Sequence, residues 1–336
     1  MDWQSLDWEA LDRLRETFLS DARPAGPYWH TITDLECYDL TYGERIGWKW
    51  DAVLAELRLR GWTPPAGATV LDWGCGSGVA GRRVAEFIGA GNLARLVLHD
   101  HSPLAGEFAE HRARKVFPAL AVERASCRFL QESPIDVLVV SHVLNELDDA
   151  GRAALSGLVA RARAVLWVEP GTHEVSRGLV PWREQALAAG FHAVAPCPHA
   201  APCGLLAPGN ERHWCHFFAA PPPEIFADSG WVKFGQRAGI DLRALPYGFL
   251  VLDRRAPALP EGASRILGEP RVYKGYAKIF NCTAGGVGEL VLQQRADRDL
   301  FKSLKRAQGP LIYRWRCEGG RIVAAERLVG GPAAAS

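Results

Sequence analysis

The sequence predicts an α/β fold in which a parallel sheet is covered by helices on both faces, with a helical extension before it and a small β-rich domain after it. Three observations carry this prediction. Between residues 68 and 191 short apolar runs alternate with longer amphipathic segments, as expected for strands buried on both faces. Apolar residues in the first 60 positions recur at helical spacing. After residue 256, short β-like runs are separated by glycines.

The predicted elements follow this order along the chain. Strands are expected at residues 69–72, 96–100, 135–141, 164–169 and 248–253, and helices near 79–88, 103–116, 149–162 and 180–189. The C-terminal part has β-like runs at residues 272–280, 289–293 and 311–316, with a basic helix near 297–307. We therefore expect a helical region at residues 1–66, a central domain at 67–255 with a Cys-rich insert at 195–217, and a small basic β-rich domain at 256–336.

The composition favours a globular protein of a reducing compartment. Of 336 residues, 48% are hydrophobic and 23% charged, which excludes disorder along the whole chain. No apolar stretch reaches the roughly 18 residues of a membrane span, and the acidic N-terminus does not resemble a secretory signal. We expect no membrane partner, a monomer, and a location in the cytosol or an equivalent reducing compartment. Without a signal peptide, the eight cysteines indicate metal binding, catalysis or packing rather than disulfides.

A glycine-rich loop follows the first predicted strand. The motif D-x-G-x-G-x-G places Asp72, Gly74, Gly76 and Gly78 between a strand and a helix, where backbone N–H groups can approach a ligand. The spacing differs from the dinucleotide fingerprint G-x-G-x-x-G. It resembles the first motif of class I S-adenosylmethionine-dependent methyltransferases, which have a Rossmann-like fold. The resemblance implies that Asp72 lies near the methionyl amine and that the loop lies beneath the ligand.

An acidic residue ends the next strand. Asp100 follows the glycine loop at the distance expected for a carboxylate that accepts hydrogen bonds from both ribose hydroxyls. Cys127 and Arg128 precede the following long strand, where adenine is usually contacted in this fold, although packing is an alternative role for both. These residues complete the predicted binding site for S-adenosylmethionine.

The segment after residues 135–141 carries the candidates for catalysis. It reads Ser-His-Val-Leu-Asn-Glu and lacks the Asn- or Asp-Pro-Pro-aromatic motif of nucleic-acid amino-methyltransferases. His142 and Glu146 could act as a base by position, and structural roles are the alternative. Methyl transfer is chemically possible, but no residue demonstrates it.

A cysteine cluster predicts a metal site. Cys197, Cys203 and Cys215 lie within 19 residues, in a segment rich in Pro and Gly. Cysteines in such a segment are not expected to be needed for core packing. The spacings C-x5-C and C-x11-C differ from the paired thiolates of structural zinc, and Cys-Pro recurs beside iron–sulfur ligands. Zinc bound with the help of His199, His213 or His216 remains an open alternative.

Several motifs together resemble one family over about residues 30–290. They are the loop at 72–78, Val-Glu-Pro-Gly-Thr at 168–172, Cys-Pro-His at 197–199, Cys203, and Trp-Cys-His-Phe at 214–217. This combination resembles the methyltransferase-like family of small-ribosomal-subunit assembly proteins of mitochondria and many bacteria. The resemblance implies a [4Fe-4S] cluster held by four cysteines and association with the immature small subunit. The family's fourth ligand comes from the later β region, which points to Cys282.

Charge is distributed unevenly along the chain. Residues 1–60 hold 12 acidic and 7 basic residues, whereas residues 254–316 hold 13 basic and 5 acidic residues. If the protein binds a polyanion, we expect the binding surface in the C-terminal third of the chain. The alternative is that these basic residues form a solvated surface without a ligand. With the family resemblance, the favoured partners are small-subunit rRNA and its precursor particles. The candidate RNA-binding residues are Tyr273, Lys274, Tyr276, Lys278, Arg298, Lys302, Lys305 and Arg306.

Three functions are consistent with these observations. The leading hypothesis is an assembly factor that binds S-adenosylmethionine, an iron–sulfur cluster and small-subunit rRNA. The second is an active methyltransferase for rRNA or a ribosomal protein, which the missing amino-methylation motif disfavours. The third is a zinc-stabilised methyltransferase for a small molecule, which would leave the C-terminal charge without a role.

Overall fold

A computed structural model describes residues 3–4, 6–19, 29–258, 260–307 and 309–328. The chain divides into two compact units. The first comprises Met1–Leu54, Thr63–Val168 and Ala220–Leu245, and the second comprises Ala55–Trp62, Glu169–Ala219 and Pro246–Ser336. The three consecutive domains expected from the sequence stay a prediction.

Helices dominate the described part of the first 60 residues, as predicted. They are α1 (Trp8–Leu19), α2 (Ile32–Tyr38) and α3 (Glu44–Leu59), with a π-helical segment at Asp39–Gly43. The start of α2 is a capping box: the Thr31 hydroxyl accepts the Asp34 N–H at 3.2 Å, and the Asp34 carboxylate accepts the Thr31 N–H at 3.0 Å. The buried side chains include Leu35 and Trp50, which lie on the apolar faces of α2 and α3.

A parallel sheet forms the centre of the first unit. Its strands are β1 (Ala68–Trp73), β2 (Leu93–His99), β3 (Val122–Arg124), β4 (Ile135–Ser141) and β5 (Ala162–Pro170). They stand in the order β3-β2-β1-β4-β5, and each neighbouring pair is parallel. The strand order reverses at β1, which is where sheets of this kind bind ligands at the carboxyl ends of their strands. The predicted fold of class I S-adenosylmethionine-dependent methyltransferases is therefore confirmed.

Helices connect successive strands of this sheet. They are α4 (Val79–Ile88), α5 (Pro103–Val116), α6 (Cys127–Glu132) and α7 (Asp149–Arg161). Ser102, Ser126 and Asp148 each precede a helix and accept a backbone N–H from its first turn. Helix α4 instead follows Gly78, which offers no side-chain cap. Its amino end is therefore formed by the glycine loop.

The second unit contains the Cys-rich segment. Its first elements are α8 (His173–Ala188), β6 (His192–Ala195) and β7 (Phe217–Ala219); α9 (Ser229–Ala238) lies in the first unit and precedes β8 (Leu245–Asp253). Strand β8 pairs with β6 in antiparallel fashion and also with β7. Helix α8 begins at His173 rather than near residue 180, because the Thr172 hydroxyl caps it, and it continues through Pro181.

The C-terminal residues form a small barrel. Its elements are β9 (Ser264–Ile266), β10 (Arg271–Val272), β11 (Tyr276–Thr283), β12 (Gly286–Gln293), α10 (Arg298–Leu304), β13 (Ile312–Glu318) and β14 (Arg321–Arg327). Strand β9 pairs with both β11 and β13, so the ring β9-β11-β12-β14-β13 closes on itself. Apolar residues of the strands pack with Phe301 and Leu304 of α10 in one core. The predicted β-rich C-terminal region is therefore present.

No helix in the described ranges is long and apolar enough to cross a membrane.

Candidate functional site

The glycine loop takes a conformation that requires glycine. Gly74, Gly76 and Gly78 have φ angles of +70°, +52° and +77°. A Cβ added at Gly74 would lie 2.6 Å from a methyl carbon of Val143, and one added at Gly78 would lie 2.9 Å from the Cβ of Ala109. A Cβ at Gly76 would meet no described atom within 4 Å. The loop is therefore packed against protein at its ends and open at its centre.

Asp100 holds the centre of this loop to the end of β2. Its Oδ2 accepts the Gly76 N–H at 2.8 Å, and its Oδ1 accepts the Ser102 N–H at 2.9 Å. The side chain is only 6% exposed. A carboxylate offers about four lone-pair sites, so two bonds to the backbone leave capacity for hydroxyl groups of a ligand. This arrangement fits the predicted ribose contact.

Asp72 lies beneath the loop and is fully buried. Its Oδ2 accepts the Gly81 N–H at 2.8 Å, which closes the amino end of α4. Its Oδ1 has no hydrogen-bond partner in the part of the chain that the structure describes. Burial raises the pKa of this carboxyl to about 7, and the negative charge of Asp100 adds to the shift. Asp72 thus organises the loop and keeps one oxygen for a further donor.

His142 follows β4 and is engaged on both ring nitrogens. Its backbone has a φ of +56°, which is uncommon for a residue other than glycine. Nε2 lies 3.1 Å from Lys49 Nζ, and Nδ1 lies 3.4 Å from Ser141 Oγ. Burial lowers the pKa of His142 well below its usual range, and the charges of Lys49 and Arg45 add to this shift. The imidazole is therefore neutral, and as a base it would first have to lose the Lys49 contact.

Glu146 is the better placed of the two candidate bases. Its side chain is accessible to solvent, yet the surrounding protein raises the pKa of its carboxyl to about 7, with a contribution from Asp100. Burial and the charges of Glu146, Asp39 and Asp100 raise the pKa of Tyr38. Tyr38, Glu146 and Asp100 therefore share one neighbourhood.

Sequence reasoning missed Tyr38 and Lys49. Both come from the N-terminal helices, which the sequence pattern predicts as a separate region. In the sequence, these residues are a tyrosine and a lysine on amphipathic helices. That pattern alone does not distinguish a ligand-binding residue from an ordinary surface residue.

Cys127 and Arg128 lie in the first turn of α6. Both are exposed, and Arg128 Nε lies 3.1 Å from Glu132 Oε2 on the same helix. Their predicted contact with adenine stays a prediction.

In the second unit, the four predicted metal ligands lie in one neighbourhood. Cys197 follows β6, Cys203 precedes a short helical turn, Cys215 precedes β7, and Cys282 lies in β11. The pKa of the Cys215 thiol is raised well above its usual value by burial and then by the charges of Cys197, Cys282 and Cys203. Burial, with Cys197 and Cys203, raises the pKa of Cys282 to about 12. Distant stretches of sequence thus bring together thiols that oppose one another's ionisation.

Arg183 of α8 organises the segment that carries these cysteines. Its Nε lies 3.1 Å from Cys197 Sγ, and its Nη2 donates to the carbonyl oxygens of His199 and Ala201 at 3.1 and 2.9 Å. His199 Nε2 lies 3.3 Å from Cys282 Sγ. Within the described ranges, no group of three or more His, Cys, Asp or Glu side chains has an arrangement suited to a metal ion. The metal assignment therefore remains a proposal.

The predicted RNA-binding residues are distributed over the barrel. Tyr273, Lys274, Arg298, Lys302, Lys305 and Arg306 are exposed, and Tyr276 and Lys278 are half-buried. Helix α10 ends at Leu304, so Lys305 and Arg306 lie in the turn after it, and the helix is shorter than the predicted range of residues 297–307. The chain leaves the helix there because Gly309, with a φ of +68°, and Pro310 redirect it.

A basic cavity lies beside α10. Its volume is about 420 Å³, and three of the side chains that line it are cationic: Lys302, Arg306 and Arg327. Tyr313 and Leu311 supply an apolar wall. Such a cavity suits an anionic group.

A family model described as mitochondrial small ribosomal subunit Rsm22 matches residues 55–309, which is about three quarters of the chain. The matched range includes the glycine loop, the four clustered cysteines and the barrel strands through β12. No curated protein gives a significant match to the sequence.

Several solved structures are similar at low identity. Magnesium protoporphyrin IX methyltransferase from Synechocystis, with bound S-adenosylmethionine, is 15% identical with a TM-score of 0.38, covering 73% of this chain and 91% of that chain. N-methyltransferase NodS from Bradyrhizobium japonicum, with S-adenosyl-L-homocysteine, is 16% identical with a TM-score of 0.36, covering 73% and 97%. An S-adenosylmethionine-dependent methyltransferase from Aquifex aeolicus is 15% identical with a TM-score of 0.35, covering 49% and 90%.

Proposed function

This chain belongs to the family of mitochondrial small ribosomal subunit Rsm22, and from that membership we propose that it is an assembly factor of the small ribosomal subunit that binds S-adenosylmethionine and ribosomal RNA. The observation that carries the proposal is the presence of a glycine loop, a cysteine cluster and a basic barrel within one chain. The proposed partners are small-subunit rRNA and its precursor particles, in the mitochondrial matrix or the bacterial cytoplasm.

The glycine loop is the proposed site for S-adenosylmethionine. Support comes from the open space at Gly76, which lets the ligand approach the backbone, and from the remaining acceptor capacity of Asp100 for the ribose hydroxyls. The unpartnered Oδ1 of Asp72 is suited to the methionyl amine. The ligand supplies an activated methyl group when bound.

The cysteine cluster is the proposed site of a [4Fe-4S] cluster, held by Cys197, Cys203, Cys215 and Cys282. Burial and neighbouring cysteines raise the pKa of the Cys203, Cys215 and Cys282 thiols. A cationic centre suits such a group, because it would stabilise the deprotonated forms that it binds. Cys282 belongs to the barrel, whereas the other three belong to the segment between β6 and β7. The cluster would therefore fasten this segment to the barrel. Zinc is the alternative ion.

The barrel is the proposed RNA-binding part, and the cavity beside α10 supports this role. Lysine and arginine contacts to phosphates release counterions, which gives a slope of log affinity against log salt of about −0.7 to −0.9 per contact. Replacing Lys302 and Lys305 with Glu should weaken binding to a small-subunit rRNA fragment and flatten this slope by about one to two contacts. The affinity for S-adenosylmethionine should stay the same.

The matched control reverses two exposed cations of the first unit, Lys115 and Arg163, and changes the net charge equally. If both double variants bind the rRNA fragment as the wild type does at each salt concentration, the proposed RNA contact at α10 is wrong.

Methyl transfer is the second candidate function, and the raised pKa of Glu146 favours it. A carboxyl with a pKa of about 7 can accept a proton near neutral pH. Transfer of a labelled methyl group to immature small-subunit particles, lost in Glu146→Gln, would support an enzyme. Full transfer by that variant would exclude Glu146 as its base.

A further inference from the structure

The C-terminal barrel has the topology of the oligonucleotide/oligosaccharide-binding fold. Strands β9 and β10 lie along the same edge of β11, and they act as one interrupted first strand. The ring then runs through β11, β12, β14 and β13 and returns to β9. The β12–β14 pair is parallel, and α10 connects β12 to β13. Barrels of this type bind their ligands on the outer face of the second and third strands, here β11 and β12.

The Cys-rich segment covers one half of this face. The His213 ring stacks on Phe280 with centroids 4.2 Å apart, and His199 Nε2 lies 3.3 Å from Cys282 Sγ. A Cβ at Gly204 would lie 2.7 Å from the Cα of Gly286, so this segment also contacts the start of β12. A ligand therefore has access only to the other half of the face.

The open half carries an aromatic pair. Tyr273 lies in the short loop between β10 and β11, and its ring stacks on Tyr276 with centroids 4.9 Å apart and planes 15° apart. Tyr273 is 43% exposed, so one side of the ring pair is accessible to a ligand. The outer side of this ring pair is a flat surface on which an unpaired base can stack.

A cationic row lies next to the aromatic pair. Lys278 of β11 is opposite Val291 of β12, and Val291 is opposite the exposed Arg321 of β14. Residues opposite one another on neighbouring strands share a face, so Lys278 and Arg321 flank Val291 on the outside of the barrel. The turn before β14 also approaches this row, because the Val291 N–H donates to the Gly320 carbonyl at 3.0 Å.

Glu289 partly neutralises this surface. Its carboxylate pairs with Lys278 at 2.8 Å and with Arg271. A phosphate group that approached either cation would compete with Glu289 for it. The negative charge of Glu289 therefore opposes binding of a polyanion at this half of the face.

We propose that the open half of the β11–β12 face binds single-stranded RNA, with a base stacked on the Tyr273–Tyr276 pair and phosphates at Lys278 and Arg321, and that Glu289 limits the affinity. The proposal rests on the proposed function and specifies it, since the preferred ligand is an unpaired strand rather than a duplex. Every base has an aromatic face, so this site accepts many sequences.

The test uses the full chain and two probes, an oligouridine of about 12 nucleotides and an RNA duplex of equal length. Binding is measured by fluorescence anisotropy over a range of salt concentrations. We expect the oligouridine to bind more tightly than the duplex. Tyr273→Ala and Tyr276→Ala should each weaken oligouridine binding about 5- to 150-fold.

Glu289→Gln should bind oligouridine more tightly than the wild type, with a slope against log salt steeper by about 0.7 to 1.4, because it frees two cations. A misfolded variant cannot produce this gain. The matched control is Glu326→Gln, which removes the partner of Arg314 on another pair of strands and should leave binding unchanged.

Two results separate this proposal from the broader one. If the wild type binds the rRNA fragment but prefers the duplex, or if the tyrosine variants and Glu289→Gln bind oligouridine as the wild type does, the single-strand site is wrong and the assembly role stands. If the wild type binds none of these RNAs, both proposals are wrong.

Discussion

Arg265 and Glu56 form a buried ion pair between two residues that lie 209 positions apart in the chain. Arg265 Nη2 lies 2.8 Å from Glu56 Oε2, and each side chain is only 2% exposed. Arg60 Nε donates to the same carboxylate at 2.9 Å, and the Arg265 guanidinium lies 4.0 Å from the centre of the Phe217 ring. The second unit is therefore held by a charged centre as well as by apolar packing.

Glu56→Gln should lower the free energy of unfolding by about 3–5 kcal/mol, because removal of one partner leaves buried positive charge without compensation. Chemical denaturation monitored by circular dichroism would measure the change. Glu123→Gln breaks the exposed pair with Arg95 and should cost less than about 1 kcal/mol. Equal stability of Glu56→Gln and the wild type would mean that the buried pair contributes nothing to the native state.

Asp100→Ala should weaken binding of S-adenosylmethionine. Each charge-assisted hydrogen bond to a ribose hydroxyl contributes about 1.5–3 kcal/mol, and the variant also releases the Gly76 N–H that now binds the carboxylate. Isothermal titration calorimetry gives the affinity. The comparison variant is Arg128→Ala. It removes an exposed side chain that is predicted to contact adenine, and it keeps the predicted ribose contact of Asp100. Unchanged affinity of Asp100→Ala would contradict the assignment.

Cys282→Ser should lower the iron and sulfide content of protein purified without oxygen, because it removes one of four proposed ligands. Iron and sulfide assays and the visible absorption spectrum measure this loss. Cys317→Ser changes an exposed cysteine of the same barrel and should keep the wild-type content. A full complement in Cys282→Ser, together with a loss in Cys203→Ser, would show that Cys282 is not a ligand, and zinc in the wild type would exclude the iron–sulfur cluster.

Asp72 should make the stability of the protein depend on pH in an identifiable direction. The pKa of its carboxyl is about 7 in the folded protein, whereas the ordinary value is 3.8. Between pH 3.8 and 7 the folded chain therefore holds a proton on Asp72 that the unfolded chain has lost. The free energy of unfolding should therefore fall as pH rises from about 4 to 7, by up to about 1.4 kcal/mol per pH unit from this group. Asp72→Asn, which keeps an acceptor for the Gly81 N–H, should lack this contribution. Parallel stability profiles of the two proteins would refute the shift.

The sequence was sufficient for the central sheet because its signal is local. The strand at Ile135–Ser141 is apolar on both faces, and the glycine loop at 74–78 marks the end of β1. By contrast, β3 at Val122–Arg124 has three residues, two of them charged and exposed, so it carries no apolar run that could predict a strand. Side chains of an edge strand are less buried than those of a central strand. The apolar sequence pattern that predicts a strand is therefore weaker at the edge.

The candidate sites depend on contacts that sequence spacing does not encode. The position of Asp100 beside the glycine loop could be predicted because its strand and the loop are neighbours in the chain. The Lys49–His142 contact joins residues 93 positions apart, and the closure of the barrel depends on β9, a strand of three residues. The proposed role of Glu289 could not be predicted for a different reason. A glutamate on an exposed strand is indistinguishable from a solvated charge until its two cationic partners are located.

The division of the chain also determines when each part can complete its folding during synthesis. The ribosome adds about 5–20 residues per second, so the 209 positions between Glu56 and Arg265 correspond to a delay of about 10–40 seconds. Over that time the first unit can receive its last segment, Ala220–Leu245, before the barrel has been translated. The segment Ala55–Trp62 must wait for its partners, and until then Glu56 has Arg60 of the same segment as an ion-pair partner but lacks Arg265. The second unit therefore reaches its native state late in synthesis. Translation that stops between residues 245 and 265 yields a polypeptide that contains every segment of the first unit, whereas its second unit lacks Arg265 and hence the charged centre.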